Sequence, residues 1–242
     1  MDVNSDILIV GGGLVGASLA CALEPLGLRI TIVESIPFED LLQPSFDDRS
    51  VAITWSSRQI FKAIGIWEEI APATHPIRSI HVSDRGHAGM VRLDCSLIHT
   101  EALGYVIPTR KIGQALLDRI NKSSSIQLLM PANAQSVEIT DNAMVVSCDG
   151  LQDPKPASLL VLADGGRSPL ASKIGVTKHE KLYKERALVT VVETDLRHNG
   201  MAFERFTVHG PIALLPMGES SFSLAWTMPC KKAERYLELS ET

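Results

Sequence analysis

Residues Ile7 to Gly16 read ILIVGGGLVG, an apolar strand segment that runs straight into Gly11, Gly13 and Gly16. A second apolar run, Arg29-Ile30-Thr31-Ile32-Val33, closes on an acid, Glu34. Strand, glycine turn, helix, second strand and terminal acid together make the dinucleotide fingerprint in its proper setting. Gly11 lets the backbone turn sharply, Gly13 leaves room for a pyrophosphate, and Gly16 lets the helix lie close on the sheet. The first helical turn offers unpaired N–H groups and the positive end of its dipole to phosphates. Glu34 is placed to accept hydrogen bonds from adenosine ribose hydroxyls, and its charge repels a 2′-phosphate.

The chain has 242 residues, enough for one large or two modest domains. With 45% hydrophobic and 21% charged residues it is an ordinary globular chain with a core to bury. The net charge of −5 leaves no basic footprint, so nucleic acid is not an expected partner. Cys21, Cys95, Cys148 and Cys230 contain no CxxC pair, which suits reduced thiols in a cytoplasmic protein. No charge falls between Ile7 and Leu23, but Asp2 and Asp6 stand where a signal peptide carries positive charge. The stretch therefore reads as a buried strand and helix, and membrane contact as peripheral, at the inner face.

Beyond this unit lies a polar loop, Ser35 to Asp48, then a helical pattern within Thr54 to Ile70 set by Ile60, Phe61, Ile64 and Trp67. Ile77 to Val82 and Met90 to Leu93 alternate like strands around the polar turn Ser83 to Gly89. Lys111 to Ile120 predicts a helix capped near Thr109; Ile126 to Met130, Ala134 to Ile139 and Met144 to Cys148 predict a strand and a hairpin. The unbroken apolarity of Leu159 to Ala163 predicts a fully buried strand. From Arg186 onward, Val189 to Glu193, Ala202 to Val208, Ile212 to Leu215 and Phe222 to Trp226 read as successive strands of an antiparallel second domain. Asp84-Arg85-Gly86-His87 reads as a hairpin tip, Glu204 and Arg205 as the solvated face of a strand, and His209 as a turn residue. His75, His81, His87, His99 and His209 lack HxH or HExxH spacing, so no metal site is expected, and no GxSxG supports a hydrolase.

Gly11-x-Gly13-x-x-Gly16, Asp47-Asp48-Arg49 and Ala163-Asp164-Gly165 together resemble the pattern of the FAD-dependent aromatic hydroxylases, the single-component flavoprotein monooxygenases. His81 to Gly89, Phe203 to Pro211 and Leu214-Leu215-Pro216-Met217 are similar to the branch of that family that serves ubiquinone biosynthesis. The resemblance runs over essentially the whole chain. It implies an α/β fold: a Rossmann-like FAD-binding domain of the glutathione-reductase type, with a partial antiparallel-sheet substrate domain. The expected division is 1–74 and 99–181 for the FAD-binding domain, and 75–98 and 182–242 for the substrate domain.

For the cofactor site the resemblance implies Gly11, Gly13, Gly16 and Glu34 at the ADP half of FAD. It adds Arg49 and, as a softer match, Arg110, with Asp164 and Gly165 close to the pyrophosphate. The implied reaction hydroxylates the ring of a polyprenylated phenol through a flavin C4a-hydroperoxide, with NAD(P)H and O2. The apolar tail implies delivery from a membrane or a ubiquinone-biosynthesis protein complex. No catalytic base stands out. Family members are longer and carry a GD motif on the flavin's ribityl side; Gly-Asp does not occur here, so the chain reads as truncated relative to them. Two alternatives stay open at this point: a truncated, inactive nucleotide-binding relative, and an NAD-dependent dehydrogenase, since Glu34 suits NAD as well as FAD.

Overall fold

The apolar run at the N-terminus forms a strand because it is covered on both faces, and the rest of the first sheet grows out from it. The computed structural model describes residues 5–38, 49–149 and 153–239; Asp47, Asp48 and most of the expected polar loop lie outside them. In chain order the first elements are β1 (Ser5–Val10), α1 (Leu14–Leu23), β2 (Ile30–Val33), β3 (Ser50–Thr54), α2 (Trp55–Ala63) and α3 (Trp67–Ile70). Then come β4 (His75–Ile77), β5 (Ser79–Asp84), β6 (Met90–Asp94), β7 (Gly104–Pro108), α4 (Thr109–Asn121) and β8 (Ile126–Leu129). The hairpin strands β9 (Asn133–Ile139) and β10 (Met144–Asp149) precede β11 (Lys155–Leu162) and α5 (Leu170–Lys173). The chain closes with β12 (Glu185–Glu193), β13 (Met201–Phe206), β14 (Ile212–Met217), β15 (Ser221–Pro229) and α6 (Cys230–Leu237).

These elements group into two compact units. The first holds Met1–Arg49, Ile60–Pro72 and Pro108–His179; the second holds Ser50–Gln59, Ala73–Ile107 and Glu180–Thr242. Each is described by itself.

The first unit is built on a six-stranded sheet in the order β8-β2-β1-β11-β10-β9. Strands β8, β2, β1 and β11 run parallel, and the hairpin β9–β10 adds two antiparallel strands. Leu8, Ile9, Ile30 and Ile32 are fully buried at its centre. Helix α1 turns Gly16, Ala17, Ala20 and Cys21 inward, and these small residues let it lie close to β1 and β2. Helix α4 packs beside it and buries Ile112, Gly113, Ala115, Leu116 and Ile120 at helical spacing. On the other face Leu8, Val10 and Val33 join Ala134, Val146 and Leu170 in a separate core cluster.

The second unit holds a six-stranded sheet, β12-β15-β14-β13-β5-β6, and a three-stranded one, β3-β7-β4. All pairs in the larger sheet are antiparallel except β13 with β5, which is parallel. Ile77 of β4 and Val106 of β7 pack with Ala202, Ile80, Leu215 and Met217 on one face of the larger sheet. The rings of His81, Phe203, Phe222 and His198 form a chain of edge and tilted contacts on the opposite face. Farther along that same face Trp226 meets Tyr236 of α6.

Four local expectations change. The pattern from Thr54 to Ile70 is two helices, α2 and α3, interrupted at residues 64–66. Thr109 does not cap α4: Pro108 holds the cap position, and the Thr109 hydroxyl donates to the Arg49 carbonyl instead. Strand β11 is internal to its sheet but not fully buried, and Leu159 is half exposed. Its apolarity reports its place between two strands, whereas α1 packs over β1 and β2. Glu204 is half-buried on the same sheet face as Ala202, so it is not a solvated-face residue; its neighbour Arg205 is exposed. Among the described residues no helix is long and apolar enough to cross a membrane.

Leu8→Ala removes a fully buried side chain from the core cluster on the face of the first sheet opposite α1. It is expected to cost about 2–5 kcal/mol, read as a lower urea midpoint with unchanged slope. A cost below about 1 kcal/mol would show that the centre of this sheet collapses around the gap.

Candidate functional site

The carboxyl ends of β2, β1 and β11 converge on Gly11. Its amide donates to the Val33 carbonyl at 2.8 Å, and the Ala163 amide donates to the Val10 carbonyl at 2.7 Å. Gly11 has φ +102°, and a Cβ there would press on the Ala163 carbonyl and the Asp164 amide. A Cβ on Gly16 would run into the Gly11 carbonyl oxygen, so the helix can start this close to the strand only with glycine at that position. Gly13 is the N-cap of α1, extended and without a side-chain cap. The amides of the first turn have no acceptor inside the helix, and they carry the positive end of its dipole. Gly12, Gly13, Ala17 and Phe38 line a small hollow with Gly113 and Leu116 of α4.

Glu34 is buried beside this turn. One carboxylate oxygen accepts from the Gly12 amide at 2.6 Å, the other from the Ile36 amide at 2.8 Å. Two charge-assisted bonds offset the cost of burying the carboxylate, and each oxygen keeps capacity for one more donor. Sequence reasoning reads Glu34 only as a ribose acceptor and misses its second job, because the partner is a backbone amide of the middle glycine.

Asp164 and Gly165 form the turn after β11, next to Gly11. The Asp164 carboxylate accepts from the Gly166 amide at 2.9 Å, the Ser168 amide at 3.0 Å and the Ser168 hydroxyl. Burial alone would raise its pKa, but these hydrogen bonds together outweigh it and hold the carboxyl below its ordinary value. Its side chain therefore shapes the loop that follows β11.

Arg49 and Arg110 are brought to one place by Thr109. Its amide and its hydroxyl both donate to the Arg49 carbonyl, each at 2.8 Å, which fixes Arg49 at the start of α4, beside the residue preceding Arg110. Both arginines are exposed. Neither Thr109 nor Ser168 is legible as a site residue from the sequence, since each acts through a neighbour's backbone or carboxylate.

The glycine cradle, the uncapped helix start and the paired carboxylate suit the ADP portion of a dinucleotide. Residues 4–240 match the family described as FAD binding domain. The chain belongs to this family. Among curated proteins it is 34% identical to ubiquinone hydroxylase UbiL of Rhodospirillum rubrum, over 93% of this chain and 52% of that one. It is 28% identical to 3-demethoxyubiquinol 3-hydroxylase of Escherichia coli, over 92% of this chain and 57% of the relative. Among solved structures it shares the fold of p-nitrophenol 4-monooxygenase PnpA from Pseudomonas putida. The TM-score there is 0.79 at 17% identity, covering 98% of this chain and 62% of the other. The expected α/β fold of the FAD-dependent monooxygenases is the fold observed. The chain spans about half the length of the curated relatives it matches.

The Asp164 carboxyl titrates lower in the folded than in the unfolded chain, so its ionised form contributes stability above the ordinary value of 3.8. That contribution is lost as pH falls through the folded value. Asp164→Asn is expected to flatten the acid limb of the stability curve below about pH 4, followed by urea unfolding at stepped pH. An unchanged acid limb would mean that the Ser168 and Gly166 bonds do not form in solution.

Proposed function

We propose that this chain is the FAD-binding and substrate-floor portion of a monooxygenase that hydroxylates the ring of a polyprenylated phenol in ubiquinone biosynthesis. NAD(P)H is the electron donor in this reading. The observation that carries it is the meeting of the fingerprint turn with the Asp164-Gly165 turn at Gly11, in a chain of the FAD-binding family. The named activities of the two ubiquinone-pathway hydroxylases supply the substrate class.

In this reading the first-turn amides after Gly13 would hold the pyrophosphate, Gly13 would leave room for it, and Gly11 and Gly16 let the turn and the helix close on the strand ends. Glu34 accepts from the ribose hydroxyls with the lone pairs its two amide bonds leave open. Arg49 and Arg110, held at the start of α4, supply positive charge to the cofactor's anionic groups. The Asp164-Gly165 turn, beside Gly11, would face the same phosphates. FAD, held by these residues, would supply the redox chemistry that activates oxygen. The protein's part is to hold a phenol ring in an apolar, water-poor site and to control when reduction occurs. A polyprenyl tail partitions into lipid, so delivery calls for peripheral contact with a membrane or with a protein complex of the pathway.

Titrating the purified chain with FAD and following visible absorbance through gel filtration tests the reading. Retained flavin is the expected result, followed by phenol-stimulated NAD(P)H oxidation. Gly13→Val and Glu34→Arg should abolish retention, and Arg49→Ala should weaken it about tenfold or more, as loss of a charge-assisted hydrogen bond does. Wild-type retention in Gly13→Val would move the cofactor site elsewhere. Flavin retained without stimulated oxidation would mark a nucleotide-binding chain without the catalytic step.

A further inference from the structure

Between α5 and β12 the chain runs from Val176 to Tyr183 in neither helix nor strand. From Lys173 to Lys184 it carries four lysines against one acid, Glu180, in a protein whose net charge is −5. Positive charge concentrated in this way on an acidic chain is a footprint for an anionic surface. The stretch leads directly into β12, and the Lys184 carbonyl accepts from the Cys230 amide at 3.1 Å, so its end is fixed to the larger sheet of the second unit.

Two large side chains stand at the end of this run. Leu182 is 93% exposed and Tyr183 72%. A single exposed leucine is ordinary in a folded chain. Here the two are consecutive, with a lysine on either side, and the Lys181 ammonium lies 5.3 Å from the centre of the Tyr183 ring. Neither Lys181 nor Lys184 has a side-chain hydrogen bond or an ion pair among the described residues. Their charge is therefore directed outward, beside apolar surface that the fold leaves uncovered.

These groups ask for two surroundings at one place. The ammonium groups call for anionic partners, and Leu182 and the Tyr183 ring call for an apolar medium with a polar boundary. A nucleic acid or another soluble polyanion meets the lysines and leaves Leu182 in water. An anionic bilayer meets both needs, with phosphates at its surface and hydrocarbon just below them.

We propose that Lys181-Leu182-Tyr183-Lys184 seats the protein on an anionic lipid surface, with Leu182 and Tyr183 entering the headgroup boundary and the two ammonium groups resting on lipid phosphates. This deepens the function proposed above, and rests on it for the reason to visit a membrane, since the polyprenyl tail is what calls for lipid contact. The surface itself is argued from its own charge and exposure.

The test sediments the full chain with vesicles of phosphatidylcholine alone and of phosphatidylcholine with about a quarter phosphatidylglycerol. Wild type is expected to bind the anionic vesicles about tenfold more tightly or better, and rising salt should weaken that binding. Lys181→Gln with Lys184→Gln should lower it about tenfold or more, whereas Lys62→Gln with Lys122→Gln, which removes the same net charge elsewhere, should leave it unchanged. Lys181→Arg with Lys184→Arg should bind as wild type does. Leu182→Ser with Tyr183→Ser should also lower binding about tenfold or more. Absence of binding, equal binding to both kinds of vesicle, or equal losses in the two glutamine pairs would overturn the proposal. Undiminished binding in Leu182→Ser with Tyr183→Ser would overturn it too, leaving a charged footprint open to any polyanion. FAD retention measured on the same samples separates the two ideas. Vesicle binding through this stretch in a chain that never retains flavin leaves the lipid seat standing and removes the hydroxylase reading. Retained flavin in a chain that ignores vesicles does the reverse.

Discussion

Three strand ends meet at a single glycine, and the nucleotide unit depends on that meeting. Gly11 closes the gap between β2 and β11 by accepting a backbone angle that side chains resist and by leaving no Cβ in the way of Ala163. Gly16 then brings α1 down onto the carbonyl of Gly11 itself. Backbone groups are thus packed against backbone groups, and the helix starts without a side-chain cap.

The sequence makes this unit legible because its signals are local. Apolar run, glycine spacing and terminal acid lie within about thirty residues, and each dictates its own backbone. The strands β3 and β7, Ser50–Thr54 and Gly104–Pro108, are only five residues each, too short for a period of two to stand out, and they pass unread. Burial of β11 is misjudged for a related reason: periodicity records which strands stand inside a sheet, not which of them a helix covers. In β13 the neighbours Glu204 and Arg205 are both charged, so alternation alone cannot say which of them faces in. Only the pairing with Ala213 and Val82 decides it.

The site shows the same division. Glycines and the Asp-Gly turn are found from their order in the chain. Residues that work by holding another residue, such as Thr109 on the Arg49 carbonyl and Ser168 on Asp164, are invisible until distant segments are brought together. Hydroxyl groups of this kind carry no charge and no periodicity, and their value lies wholly in where the partner happens to be.

Glu34 illustrates what such double employment means over longer times. Its two carboxylate oxygens tether the glycine turn and the residue that follows β2, so the side chain is a fastening of the fold as well as a potential contact for a ribose. A lineage that drifted toward a phosphorylated cofactor would need to give up that fastening before gaining anything from a basic replacement. Any such path runs through a loosened turn. A basic residue at this position would be felt first in the stability of the turn.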